Sequence, residues 1–508
     1  MSISQLTLLA PPGSLERLRQ APVITRHACN GGVVRRLDVT YFDTPEQALF
    51  GQGFSLRVQR SGGRRVQRLS REPSRRNGGG QKWETPVEDA APDLSRLAAP
   101  DLADLLDGLD PAALVPIFTR RLRCRLQRIL LPEAMVNVAF SEGIIEARAR
   151  SHPVAEVQLD LRSGDPGALY ELGTQLLDID PLRLASTSEC DRGFALVSGT
   201  TPRPAKAVVP AIARFHMVDD AIAVLLDTCR QHLADNLAAA EDGRDPEGVH
   251  QLRVALRRLR SALSLLHREV PAATFQAFRQ DAKWLATALG PAREWDVFLA
   301  ETLARPEQGC TPVVGFEPLR QAAAQQREAS YAAVRAALAD PRTTRFQLLL
   351  SQWIEQRGWR TEIPAEALSV LSEPVGLLAA RLLTRLHGKV LKRGSHLRRL
   401  DAVARHQLRV RLKGLRYACE FFLPLWPSPS AEHFVGRLVK LQTTLGSDSD
   451  AEATRPLLHA VGQAAPEPEL HRAIGAVIGW QARDRLVSLQ RLRRRWRRLR
   501  ATAPFWGE

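Results

Sequence analysis

The sequence predicts two kinds of domain in one chain: a β-rich domain over residues 1–198, a connection over 199–209, and an all-α domain over 210–508 made of two related helical bundles. Three observations carry this expectation. Before residue 200, apolar residues alternate with a period of two in short runs, whereas after it they recur at helical spacing in long Ala/Leu/Arg segments. The change falls at TTPRPAKAVVP (Thr200–Pro210), a proline-bearing stretch that continues neither pattern. Finally, one eleven-residue segment occurs twice in the second half.

Taken in order, the runs Arg36–Phe42, Phe54–Arg60, Arg65–Leu69 and Glu156–Leu161 read as strands. FSLRVQR-SGG-RRVQRLS reads as a hairpin, with Gly62 and Gly63 suited to the positive backbone angles of a tight turn. Pro73–Gly80, PSRRNGGG, reads as a flexible loop. The opening MSISQLTLLAPPG lacks the basic start and apolar core of a secretion signal, and no apolar run approaches the roughly 18 residues of a membrane span. A cytoplasmic chain without a membrane partner is therefore expected. Cys29, Cys124, Cys190, Cys229, Cys310 and Cys419 are widely spaced with no CxxC pair, which suits reduced thiols and neither a disulfide framework nor a zinc site.

Charge is unevenly shared. Residues 1–200 hold 25 Lys+Arg and 24 Asp+Glu, so 46 of the 71 cations and 31 of the 55 acids lie beyond, and +15 of the net +16 is C-terminal. Such an excess points to a polyanion held by the second half, whether nucleic acid, acidic lipid or polyphosphate.

The repeat lies in that half. His250–Arg260 reads HQLRVALRRLR and His406–Arg416 reads HQLRVRLKGLR, agreeing at eight of eleven positions, and each histidine precedes a Leu-Gly glycine, Gly290 or Gly446, by 40 residues. A duplication packed about a pseudo-two-fold axis is the simplest account. On a helix, His250, Arg253, Arg257 and Arg260 share one face beside a stripe of Leu252, Leu256, Leu259 and Leu263. His406, Arg409, Lys413 and Arg416 repeat the division beside Leu408, Leu412, Leu415, Cys419 and Phe422. A solvated basic face usually interleaves acids at i,i+4, and neither segment contains one. Like charges in a row repel, so an anion is expected to occupy them, held by the bidentate forks of arginine. Lys389, Lys392, Arg393 and Arg293 extend the track; the run RLRRRWRRLR at 491–500 is denser but reads as a generic basic face.

DPEGVHQLRVALRRLRSAL, LGPAREWDVFL, HQLRVRLKGLRYACEFF and the terminal APFW resemble the CHAD domain, the conserved histidine α-helical domain, over about residues 210–506. That resemblance implies a pair of four-helix bundles around a basic surface that binds inorganic polyphosphate, with members gathering on polyphosphate granules. By motif it implies His250, Arg253, Arg257, Arg260, Lys283, Arg293, His406, Arg409, Lys413 and Arg416 as binding residues. The second Leu-Gly segment, LGSDSD, keeps Asp450 but has no counterpart of Arg293.

YFDTP (Tyr41–Pro45), GFSLRVQR, KWETPV, EVQLDL, SGDPGALYELG and DRGF (Asp191–Phe194) resemble the CYTH domain, the triphosphate tunnel fold, over about residues 4–198. The resemblance implies an antiparallel β-barrel or tunnel of α+β type, in which acidic rows hold Mg²⁺ or Mn²⁺ and basic residues hold a triphosphate. Several of those positions are changed. Ile3, Gln5 and Thr7 stand at the opening Glu-x-Glu-x-Lys, Ser70 at a basic position, Gly80 to Glu84 at Arg-x-Glu-Trp-Glu, Ser188-Glu189 at Ser-Lys, and Gln158 between Glu156 and Asp160. Arg57 and Glu84 survive. No metal site is expected: Glu84, Glu156 and Asp160 are the only candidates and read first as strand polar residues.

The expected function is thus cytoplasmic, non-catalytic binding of inorganic polyphosphate at granules. The first domain is expected to be a pseudoenzyme retained for docking, with a possible protein partner. No cofactor is required, Mg²⁺ or Mn²⁺ mattering only if the first domain turns over. The alternatives are a metal-dependent triphosphatase of reduced activity and a non-specific nucleic-acid binder, the latter lacking any repeated aromatic platform for bases.

Overall fold

The computed structural model describes residues 4–61, 63–71, 81–97, 102, 105, 108–310, 313–464 and 467–507; the side chains of 61, 398, 402, 447–451, 453, 464 and 485–490 lie outside that description. The predicted loop Pro73–Gly80, the turn at Gly62, and the side chain of Asp450 therefore fall outside it. In chain order the strands are β1 (Gln5–Leu9), β2 (Val33–Asp43), β3 (Phe54–Ser61), β4 (Arg64–Arg71), β5 (Gln81–Val87), β6 (Val115–Leu130), β7 (Ala134–Ala147), β8 (Arg150–Gly164) and β9 (Arg183–Leu184). The longer helices are α1 (Gly167–Leu177), α2 (Glu189–Ser198), α3 (Val218–Asp242), α4 (Pro246–Leu266), α5 (Thr274–Ala288), α6 (Gly290–Val297), α7 (Glu317–Ala339), α8 (Pro341–Glu355), α9 (Val375–Gly394), α10 (Ala402–Phe422), α11 (Pro429–Ala464) and α12 (Pro468–Arg500). No helix among the described residues is long and apolar enough to cross a membrane. The chain divides into two compact units, Met1–Pro202 with Asp340–Gln356, and Arg203–Ala339 with Arg357–Glu508.

The first unit is an antiparallel sheet in the order β5-β4-β3-β2-β6-β7-β8-β1-β9. Period-two patterning gives it two unlike faces. On the outer face Leu6, Leu8, Val136, Val138, Val157 and Leu159 pack with Leu169, Leu172 and Leu176 of α1. The strand register aligns Tyr41, Arg57, Arg68 and Glu84 on the inner face, and likewise Glu156, Gln158 and Asp160. The motifs that carry the tunnel-fold resemblance do structural work here. Asp43 accepts backbone N–H groups from Thr44, Leu49 and Phe50 at 2.7, 2.9 and 2.9 Å, closing the turn after β2. Within DRGF, Asp191 completes a capping box with Ser188, and Gly193 lets α2 press onto the sheet, where any Cβ would lie 2.1 Å from the Phe118 ring.

One helix falls to a different unit from the one the sequence reading assigns. Helix α8 lies inside the predicted 210–508 helical domain yet belongs to the sheet unit, where Leu348 joins the apolar cluster of α1, β1 and β8. Phe346, Leu348 and Leu350 are all buried, although at about 100° per residue Leu348 lies on the opposite side of the helix from the other two, and the sequence does not say which core each side fills.

The second unit carries two sets of four helices: α3, α4, α5 and α7, then α9, α10, α11 and α12. The duplicated helices match in register: α4 and α10 are each 21 residues long and begin and end at equivalent repeat positions. Their N-caps are equivalent as well, Asp245 accepting from the Glu247 N–H and Asp401 from the Ala404 N–H. The copies part at the Leu-Gly segment. Pro291 lacks an amide hydrogen, and a one-residue interruption separates α5 from α6; Ser447 stands at the equivalent place and α11 runs through.

Candidate polyanion-binding site

Helices α4 and α10 pack against each other. Leu252, Leu256, Leu259 and Leu263 of the first, and Leu408, Leu412 and Leu415 of the second, are fully buried, so the neighbouring cationic stripes are held at the unit's surface. Arg257 of the first copy and Arg416 of the second both lie over the ring of Tyr417, each guanidinium carbon 5.6 Å from its centroid. One ring from α10 therefore brings the two copies' cations to a common point. Tyr417 is only 2% exposed, and its hydroxyl has no hydrogen-bond partner among the described residues.

The first stripe is electrostatically strained. Burial, then Arg293, holds the His250 imidazole below its usual pKa of 6.5; Glu247 pushes it back up, Arg257 down again, and Glu301 up. Arg260 is likewise lowered by burial and by Arg279, a cation on α5 that the repeat does not contain. Arg253 is lowered too, first by burial, with Arg257, Arg293 and Arg260 adding to the effect. It is also tied down, donating from Nη1 to the Ala286 carbonyl at 2.5 Å. Arg293 reaches Glu301 only at 3.8 Å, and Lys283 is exposed on α5.

The second stripe is less bare than its sequence implies. Glu420, one turn beyond the repeat, accepts from Arg416 Nε at 2.6 Å and from Arg258 Nη1 at 3.3 Å, so a carboxylate joins the two copies. His406 is exposed, while Arg409 and Lys413 are partly buried. Two residues of the predicted extension along α9, Lys389 and Arg393, meet the other flank of α10. Arg393 donates to Gln407, and Lys389 is lowered by desolvation, then by Arg268, Arg385 and Arg411. At about 100° per residue, Gln407 and Arg411 lie on the flank of α10 away from Arg409. Lys392 is exposed on α9.

The CHAD domain family matches residues 224–459. The crystal structure of the CHAD domain from the plant Ricinus communis is similar at 30% identity, over 59% of this chain and 98% of that one, with a TM-score of 0.51. The chain belongs to the CHAD-domain family. PptA from Streptomyces chartreusis is similar over 56% of this chain and 100% of its own, at 15% identity and TM-score 0.43. HpAC1 from Hippeastrum, whose structure is described as revealing a dominant triphosphatase activity, matches 38% of this chain and 96% of its own at 14% identity and TM-score 0.30.

In this CHAD chain the inner face of the sheet does not fit a divalent metal. Glu156 is 1% exposed and its carboxylate is already shared between Arg120, at 2.8 Å, and Arg192, at 2.6 Å. Arg120 also pairs with Glu189, the residue at the tunnel fold's lysine position. Glu84 is bound by Arg68, and Asp160 accepts the Gln158 amide at 3.0 and 3.1 Å while burial raises its pKa. Among the described residues no three acid, histidine or cysteine side chains gather as a metal would require. Guanidinium groups supply the positive charge that the acids of this face would otherwise seek.

Sequence reasoning missed Tyr417, Glu420 and Arg279 in the CHAD unit. Tyr417 and Glu420 follow Arg416 directly in RYACEF, at helical spacings that place them beside the stripe, so extending the face by one turn would have found them. Arg279 and Lys283 are one turn apart on α5, a weaker signal.

Proposed function

We propose that the CHAD unit binds inorganic polyphosphate along the surface where the cationic edges of α4 and α10 meet, and that the sheet unit serves as a docking module without turnover, at polyphosphate granules in the cytoplasm. The observation that carries this reading is the junction at Tyr417, against which Arg257 and Arg416 from the two copies are both held. His250, Arg253 and Arg260 are depressed first by burial and then by neighbouring cations, and a chain of phosphates, whose oxygens accept charge-assisted hydrogen bonds, relieves the cationic part. A nucleic acid is the poorer ligand. The aromatic at the junction is buried, with Arg257 and Arg416 over its ring, and offers no exposed platform for a base.

The test is a titration of the full-length chain with long-chain polyphosphate, using duplex DNA of equal charge as competitor. Displacement of polyphosphate only by a large excess of DNA supports the reading; equal competition overturns it. The docking role of the sheet unit predicts no hydrolysis of tripolyphosphate with Mg²⁺ or Mn²⁺. Hydrolysis abolished by Glu156→Ala defeats that half of the proposal.

A further inference from the structure

The terminal arginine run, which the duplicated stripes do not use, lines a cavity. Between α11 and α12 opens a space of about 560 Å³. His433, Gly436, Arg437 and Lys440 line it from α11, and Arg494, Arg495 and Arg498 from α12. The first four lie at i, i+3, i+4 and i+7, a single flank of the helix. Glu432 is the one carboxylate of the lining, against five lysines and arginines.

These cations have two jobs. Arg437 donates from Nη1 to the Arg498 carbonyl at 2.7 Å and to the Thr502 hydroxyl; Arg495 donates from Nη1 to the Lys440 carbonyl at 2.6 Å and to the Thr444 hydroxyl. Each thus staples one helix to the other and fixes the walls. Lys440, Arg494 and Arg498 are exposed, and their side chains make no hydrogen bond or ion pair among the described residues. Three free cations held on rigid walls form a preorganised anion site. Its floor is Gly436, where an added Cβ would meet nothing within 4 Å. No Phe, Tyr or Trp lines it; apart from the imidazole of His433, the lining offers charge for phosphates and no platform on which bases would stack.

The groove is separate from the stripes. Gln442, which receives the Arg416 hydrogen bond at 3.4 Å on the flank of α11 toward α10, lies about 180° around the helix from His433. We propose that the α11–α12 groove is a second, independent holding point for a linear condensed phosphate. Chains long enough to engage groove and stripes together are then retained by avidity, while short ones fill the two points singly. This rests on the polyphosphate reading of the stripes and adds a length preference to it.

The experiment compares long-chain polyphosphate with tripolyphosphate on the full-length chain by calorimetry. One variant combines Lys440→Glu, Arg494→Glu and Arg498→Glu; a second is Gly436→Glu, which places a carboxylate in open space and suits a helix better than glycine. A control reverses three exposed cations elsewhere, Arg305→Glu, Arg455→Glu and Arg472→Glu. Both groove variants are expected to lose about tenfold or more in long-chain affinity, and the control less than about threefold, with tripolyphosphate stoichiometry falling from about two to about one. Groove variants that match wild type on both ligands, while a stripe variant loses binding, overturn the groove and leave the stripes standing. A wild-type chain that binds neither ligand overturns both.

Discussion

Removing Arg257 and Arg260 together is the sharpest test of the stripes, because it separates binding from folding. Arg257 is exposed, and losing its contact with Tyr417 costs about 0.5–1 kcal/mol of stability. Arg260 is pushed down by burial and Arg279, so its removal relieves repulsion. Arg253 is left in place because its hydrogen bond to Ala286 makes it part of the scaffold. If each lost arginine takes away one phosphate contact, at about 1 kcal/mol for a surface charge pair, affinity falls by about 2 kcal/mol, or roughly 30-fold. The slope of log affinity against log salt should flatten by about 1.4–1.8, by analogy with nucleic-acid strands. Calorimetric titration of the Arg257→Ala/Arg260→Ala chain with long-chain polyphosphate at 50, 100 and 200 mM salt, alongside its melting curve, measures both quantities. An unchanged salt slope and affinity in a folded variant refute the stripe as the binding surface.

Three further outcomes follow from the geometry. His250 is held below 6.5 in the free chain and is neutral at pH 7; a bound phosphate favours its charged form, so binding takes up a proton and tightens by up to about tenfold per pH unit as pH falls from the bound-state pKa toward the free one. His250→Gln should remove that dependence, and a steep profile that survives the substitution excludes this histidine as its source. Glu156→Gln leaves Arg120 and Arg192 short of a buried partner and should destabilise the sheet unit by about 3 kcal/mol, with no rescue by Mn²⁺; an unchanged melting transition contradicts the ion-pair reading. Leu348→Ala should cost about 2–5 kcal/mol and reduce hydrogen-exchange protection in β1, β8 and α1, not in α4; loss confined to the helical unit contradicts the assignment of α8.

What lay in the sequence was whatever local physics decides. Alternation located parts of β2, β3, β4 and β8, and the repeat fixed equivalent positions for α4 and α10 because each copy carries its own aspartate cap and leucine stripe. The cationic faces were legible for the same reason, since residues at i, i+3 and i+7 share a side whatever the helix packs against. Only the tertiary structure decided which charges meet partners and which do not. Glu156 read as a strand polar residue, and only the fold shows that arginines from β6 and α2 hold its carboxylate; Arg416 looked bare until Glu420 and the ring of Tyr417 came alongside Arg257 and Arg258 from the other copy. Likewise α8 announces itself as a helix but not as part of the sheet's core. Helix and strand formation depend on neighbours in the chain, whereas the pairing of Arg258 with Glu420 and the place of Leu348 in the core of α1, β1 and β8 depend on residues more than a hundred positions away, and no periodicity records those.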